Sequence, residues 1–170
     1  MKNTPILLLA AALIAGGCQS SQTSSTPVKQ DNVAVSFQDA DKFTDARESF
    51  GASSSQYYLD QLSEHLKKVA GKQLTTGQKL DVTINDIDLA GDFIPGNAST
   101  QDIRVIKEIY IPRVKLTFKL LDAEGKVLKE GARSLSDLNY MSNIGLIDRD
   151  QPLFYDKALL TNWVRQEIKS

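Results

Sequence analysis

Three kinds of side chain in this 170-residue chain could do chemistry: one thiol, one imidazole and scattered carboxylates. Asp86, Asp88 and Asp92 lie close together in the chain, and clustered oxygen donors are what a hard cation such as calcium collects. They fail the helix–loop–helix calcium pattern, because Ala90 stands where a third oxygen ligand belongs and Asn97 where the closing Glu belongs. Asp39, Asp41, Asp45 and Glu48 form a second acidic stretch, read as a solvated loop with a cation site as the alternative. No metal is expected, with Asp86, Asp88 and Asp92 the residues to consider first. The single histidine, His65, falls at the edge of a helical apolar stripe, where a border role is the ordinary one. It has no Gly-x-Ser-x-Gly turn to serve as base for. No His- or Cys-rich zinc spacing and no glycine-rich phosphate loop accompanies it. Carboxylate pairs such as Asp86 and Asp88 could move protons, but any acidic surface offers such pairs. The chain is therefore expected to be no enzyme and to need no cofactor.

The thiol is Cys18, the only cysteine. Lys2 supplies positive charge, Ile6 to Ala15 is an unbroken apolar run, and Gly16-Gly17 follow, which is the three-part layout of a secretory signal peptide. The run is too short to span a bilayer, which takes about 20 apolar residues. Ala15-Gly16-Gly17-Cys18 resembles the bacterial lipobox, with Ala15 where Leu is the common residue. The resemblance implies cleavage before Cys18, its lipidation, and a membrane anchor. Two acyl chains already hold a protein stably on a bilayer. A lipidated cysteine is also no free thiol in an oxidising compartment. Gln19, rather than Asp, follows the cysteine. By the same resemblance this directs the protein to the outer membrane, facing the periplasm, with surface exposure the other option.

Loss of residues 1–17 removes one of 20 basic side chains, Lys2, leaving 19 against 21 acidic ones and a formal charge of −2. That balance offers no basic footprint for nucleic acid. Gln19 to Gln30 is rich in Ser, Thr and Gln and contains Pro27, so residues 18–31 read as a solvated tether. The rest, residues 32–170, is one domain, large enough to build a core without disulfides.

Periodicity supplies the elements. Val33, Val35 and Phe37 alternate as a short strand. Ser53 and Gln56 fit a capping box, and Tyr58, Leu62, Leu66 and Val69 form the apolar stripe of a helix that stops near Gly71. Leu80, Val82 and Ile84 alternate, and then the parity flips to Ile87 and Leu89. Either a bulge sits near Asn85-Asp86, or that strand is covered on both faces. Ile103, Val105, Ile109 and Ile111 suggest an edge strand or arm ended by Pro112. Val114, Leu116, Phe118 and Leu120 alternate most clearly of all. The turn Asp122-Ala123-Glu124-Gly125 sends Lys126 to Leu138 back beside them, with Gly131-Ala132 a weak point. This hairpin is expected to be the spine of the sheet. Tyr140, Met141, Ile144, Leu146 and Ile147 lie in a loop, and Pro152 opens a last helix carrying Leu153, Leu160, Trp163 and Val164. The expected fold class is α+β: a mainly antiparallel sheet of about four strands packed against two helices, behind the signal peptide and flexible tether.

Val35-Ser36-Phe37 with Lys42-Phe43-Thr44-Asp45, the run Leu80 to Phe93, Ile109-Tyr110-Ile111-Pro112-Arg113, the hairpin Leu116 to Leu135, and Ala158-Leu159-Leu160 with Trp163 together resemble a bacterial family known as domain of unknown function 3016. Ile111 stands where Pro is common in that family. The resemblance implies an envelope lipoprotein of Gram-negative bacteria and carries no activity, cofactor or catalytic residue. Function is accordingly expected to be that of a lipid-anchored binding or assembly module with an envelope protein as partner. The alternative is a carrier of a small ligand or cation.

Overall fold

A computed structural model of the protein describes residues 32–94, 102–142 and 151–168. The expected signal peptide and tether, Cys18, Asn97, and Ile144, Leu146 and Ile147 lie outside the described residues.

The elements in chain order are β1 (Val33–Phe37), α1 (Gln56–Gly71), β2 (Lys79–Asp88), β3 (Asp92–Phe93), β4 (Arg104–Val105), β5 (Arg113–Leu121), β6 (Val127–Ser136) and α2 (Phe154–Glu167), with a 3-10 turn at Ala40–Lys42. Among the described residues the main sheet has the order β1-β2-β5-β6. β1 runs parallel to β2 through the α1 crossover, and the other two pairings are antiparallel. The α+β expectation holds. The spine does not: β2 and β5 occupy the centre, and β6 is an edge strand with mostly exposed residues. β2 is paired on both sides, with β1 and β5, and β5 likewise with β2 and β6.

Both helices cover one face of this sheet, and among the described residues no helix covers the other. Leu80, Val82 and Ile84 of β2 and Val114, Leu116, Phe118 and Leu120 of β5 point into the core. They meet Leu59, Leu62 and Leu66 of α1 and Leu160, Trp163 and Val164 of α2. The parity flip in β2 resolves as a bulge, with Ile84 opposite Leu116 and Asp86 opposite Lys115. Asn85 is the residue left over, so Ile87 and Leu89 return to the buried face.

Several local details differ from the sequence reading. α2 starts at Phe154 with Leu153 as its N-cap, so Pro152 precedes the helix rather than opening it. The N-cap of α1 is Ser55, whose hydroxyl accepts the Tyr58 N–H, rather than Ser53. The buried stripe is accordingly Leu59, Leu62, Ser63, Leu66 and Ala70, with Tyr58 and Val69 half-buried at its border. The irregular point of the β5–β6 hairpin falls beside the turn, between Leu120 and Leu121, not at Gly131. Gly131 lies opposite Phe118, and a Cβ there would come within 2.6 Å of the Arg133 guanidinium, which lies over the Phe118 ring at 5.2 Å. The absent side chain makes room for that stack.

Phe118 is 2 % exposed and packs edge-on against Trp163 with ring centroids 5.6 Å apart. Phe118→Ala is expected to cost about 3–5 kcal/mol in chemical denaturation. A cost under about 1 kcal/mol would mean that its contacts with Trp163 and Arg133 carry little of the fold.

Candidate functional site

The acids singled out in the sequence are answered by cations from the neighbouring strand. On the face away from the two helices, Asp86 and Asp88 of β2 stand opposite Lys115 and Arg113 of β5. Arg113 donates to Asp88 at 2.7 Å and Lys115 to Asp86 at 2.8 Å. Asp86 also takes the backbone N–H and the hydroxyl of Thr44. Burial pushes the Asp86 carboxyl up, but the Lys115 and Thr44 hydrogen bonds outweigh it and hold it below the usual range. Asp88 is pushed up by burial, with Asp45 and Asp86 adding to the effect and Arg113 opposing it. Asp92 accepts the Phe93 N–H at 2.7 Å. Asp86, Asp88 and Asp92 therefore do not gather around one point. Among the described residues no group of three or more His, Cys, Asp or Glu side chains could hold a metal ion. Asp39, Asp41, Asp45 and Glu48 disperse likewise: Asp39 pairs with Lys42, Glu48 accepts the Ser55 hydroxyl, and Asp45 turns inward.

Asp45 is the centre of the arrangement. After the 3-10 turn the chain rejoins the edge of β2, where the Asp45 N–H donates to Ile87 and the Asp45 carbonyl accepts the Leu89 N–H. Its side chain, buried, receives the Arg104 guanidinium through both terminal nitrogens at 2.8 and 3.1 Å, and Arg47 Nε at 3.1 Å. Burial alone would raise the carboxyl; hydrogen bonds from Arg104, the Arg104 charge and Arg47 overcome it and lower it. Arg104 spends the same two nitrogens on the carbonyls of Gly91 and Arg47, at 2.9 and 3.0 Å. Its carbon centre sits 4.5 Å from the middle of the Phe93 ring. Its Nε is buried without a hydrogen-bond partner among the described residues. One guanidinium thus ties the β3–β4 arm to the segment after β1. Gly91, with φ +82, lets the chain turn at this point, and a Cβ there would lie 2.8 Å from the Val105 carbonyl and 3.1 Å from the Arg104 stem.

Against this clamp lies a groove of about 310 Å³. Asp45, Arg47, Asp88, Asp92 and Arg113 supply its charges, and Tyr110 with Ile109 and Ile111 its organic wall. Ile109 is 73 % exposed at the rim, and Ile94, Ile103 and Ile106 are further exposed apolar residues of the same arm. Below, Ile111 packs with Ala90 and Tyr140 in a second small core. The Tyr140 hydroxyl donates to the Lys107 carbonyl at 2.6 Å, and its ring meets Tyr155 edge-on at 4.8 Å.

Asp156, in the first turn of α2, is 3 % exposed and accepts the Ala90 N–H at 3.0 Å. Burial pushes its carboxyl up to about 6; the Ala90 and its own backbone N–H and the Arg104 charge oppose the shift, and Asp45 adds to it. His65 does not line the groove. Thr161 gives its hydroxyl hydrogen to the Lys157 carbonyl, so His65 Nε2 donates to the Thr161 oxygen at 2.8 Å across the α1–α2 seam. Burial lowers its pKa, and the nearby Lys157 and Lys68 charges add to that.

Arg104, Arg47, Arg113, Tyr110 and Asp156 escaped the sequence reading. Two signals were there: Arg104 interrupts an apolar segment between Ile103 and Val105, and Asp156 occupies a stripe position between Leu153 and Leu160.

The family follows from comparison. A family model described as "Protein of unknown function (DUF3016)" matches residues 31–166. The chain belongs to this family. The match covers every described element apart from the final residue of α2. A comparison with curated proteins finds no match.

The Asp156 carboxyl binds its proton more tightly in the folded chain, at about 6, than at the ordinary 3.8. Its contribution is therefore intact at low pH and is lost as pH rises between those values, by about 3 kcal/mol in all. Asp156→Asn keeps an oxygen for the Ala90 N–H and removes the titration. Denaturation at a series of pH values is expected to show the wild type losing about 3 kcal/mol relative to the variant between about pH 4 and about pH 7. Parallel profiles would contradict this.

Proposed function

We propose that this DUF3016 protein is a lipid-anchored, periplasm-facing binding module of the outer membrane. Cys18 is its lipid attachment point, and the groove with its isoleucine rim is its contact site for an envelope component. The anchor half of the reading is supported by the lone cysteine behind an apolar run and two glycines. The twelve residues Gln19 to Gln30, a polar tether, would give the domain a reach of about 20 Å from the bilayer. The observation that carries the contact half is the groove itself: about 310 Å³ of charged and aromatic lining edged by Ile109 at 73 % exposure. Apolar groups beside ordered charge pairs are the usual make-up of a recognition surface. The reading is non-catalytic, in keeping with His65 serving the helix seam.

The test is in-cell crosslinking from a photoreactive residue at position 109 in the full chain, compared with the same protein carrying Cys18→Ser. One dominant envelope adduct, lost or strongly reduced when Cys18→Ser releases the chain from the outer-membrane fraction, is the expected result. A variant that stays with that fraction after high-salt washing would contradict the anchor, and an adduct pattern of abundant bystanders alone would contradict the contact site.

A further inference from the structure

The groove's charges are not all spent on each other. Asp45 and Arg104 satisfy one another through a two-point hydrogen-bonded pair, and Asp88 and Arg113 form a second pair across β2 and β5. That leaves one cation and one anion over. Arg47 donates from Nε to Asp45, already matched by Arg104, and its two terminal nitrogens make no hydrogen bond among the described residues. Asp92 accepts only the N–H of its neighbour Phe93 and pairs with no cation among the described residues. The two are held near each other, because the Arg104 guanidinium donates both to the Arg47 carbonyl and to the carbonyl of Gly91, which precedes Asp92. Yet no ion pair joins Arg47 to Asp92 among the described residues. Both side chains line the groove, and Ile109, Tyr110 and Ile111 line it with them.

From this juxtaposition we propose that the groove binds a free α-amino acid with an apolar side chain. Its carboxylate takes the open guanidinium face of Arg47, its ammonium takes the Asp92 carboxylate, and its side chain lies on Tyr110 and Ile111. A guanidinium meets a carboxylate through two parallel N–H donors, and an ammonium meets a carboxylate as a point charge. A ligand bearing both charges satisfies both leftover groups at once and leaves the groove neutral. An anion alone would leave Asp92 facing it, and a cation alone would leave Arg47. The volume stands at the small end of the roughly 300–1,000 Å³ usual for small-molecule sites, which suits a single amino acid. This inference rests on reading the groove as the contact site. In that arrangement the ligand occupies the polar floor while the isoleucine rim remains for the envelope component.

The experiment is thermal unfolding and titration calorimetry of the full chain in detergent with leucine, isocaproate (no ammonium) and isoamylamine (no carboxylate). Leucine at about 10 mM is expected to raise Tm by about 2–4 °C, and neither half-ligand is expected to do so. Arg47→Gln and Asp92→Asn should each weaken leucine binding by about 10-fold or more. Asp92→Asn keeps the oxygen that receives the Phe93 N–H, so its effect is read on an intact fold. No shift with leucine or any other apolar amino acid overturns the proposal, as does isocaproate binding as well as leucine or full affinity in Asp92→Asn. If the amino acids fail while position 109 still captures one envelope component, the zwitterion site falls and the contact reading stands. If leucine binds with the expected variant losses and the crosslink fails, the site stands and the docking rim falls.

Discussion

The Arg104 guanidinium fixes the geometry of everything on this side of the molecule. It reaches one carboxylate, two backbone carbonyls and one aromatic face, contributed by the segment after β1, the β2–β3 corner and β3. A buried ion pair of this kind adds little net stability, because desolvation offsets the attraction, but losing one partner strands the other at a cost of about 3–5 kcal/mol. Its effect is therefore specification more than strength. β3 and β4 pair over only two residues each, far too little to hold themselves in place. The clamp, with the small core of Ala90, Ile111 and Tyr140 beneath it, gives that short arm a defined seat, and the groove is the space the seat leaves.

The main sheet works by a different division of labour. One face is apolar and covered by α1 and α2. The other is a set of cross-strand charge pairs, Asp88 with Arg113 and Asp86 with Lys115, continued by Lys119 and Glu130 at 3.9 Å. Such exposed pairs are worth roughly 0.2–1 kcal/mol each, so they set strand register rather than stability. At the far edge, Glu167 of α2 receives Arg133 and Lys129 of β6. Hydrogen bonds from those two side chains hold its carboxyl down to about 2. That contact fastens the end of α2 to an edge strand that contributes little to the core.

Much of this sheet was legible in the chain. The alternation of Val114 to Leu120 and the parity flip after Ile84 follow from period-two patterning, and the bulge at Asn85 is what a one-residue slip demands. The capping register was not legible, because three consecutive serines precede Gln56 and tertiary packing, not local sequence, selects among them. The groove was hardly legible at all. Asp86 and Asp88 invited a cation because the chain shows them beside each other and does not show Lys115 and Arg113 beside them. Arg104 meets Asp45 across a separation of 59 residues, and no local pattern announces such a meeting. Asp156 did leave a trace, as an acid on an apolar helical stripe; such a residue is buried only if a donor waits for it, here the Ala90 N–H.

Hydrogen exchange on the wild type and on Arg104→Lys tests directly whether the clamp builds the groove. Lysine keeps the charge and cannot reproduce the two-point contact. Exchange at the amides of Leu89, Gly91 and Tyr110, which bond to Asp45, Tyr110 and Lys107, should accelerate by about 10-fold or more, while the amide of Phe118 in β5 stays protected. Unchanged exchange at all of them would show that the arm is seated without Arg104 and would contradict the account.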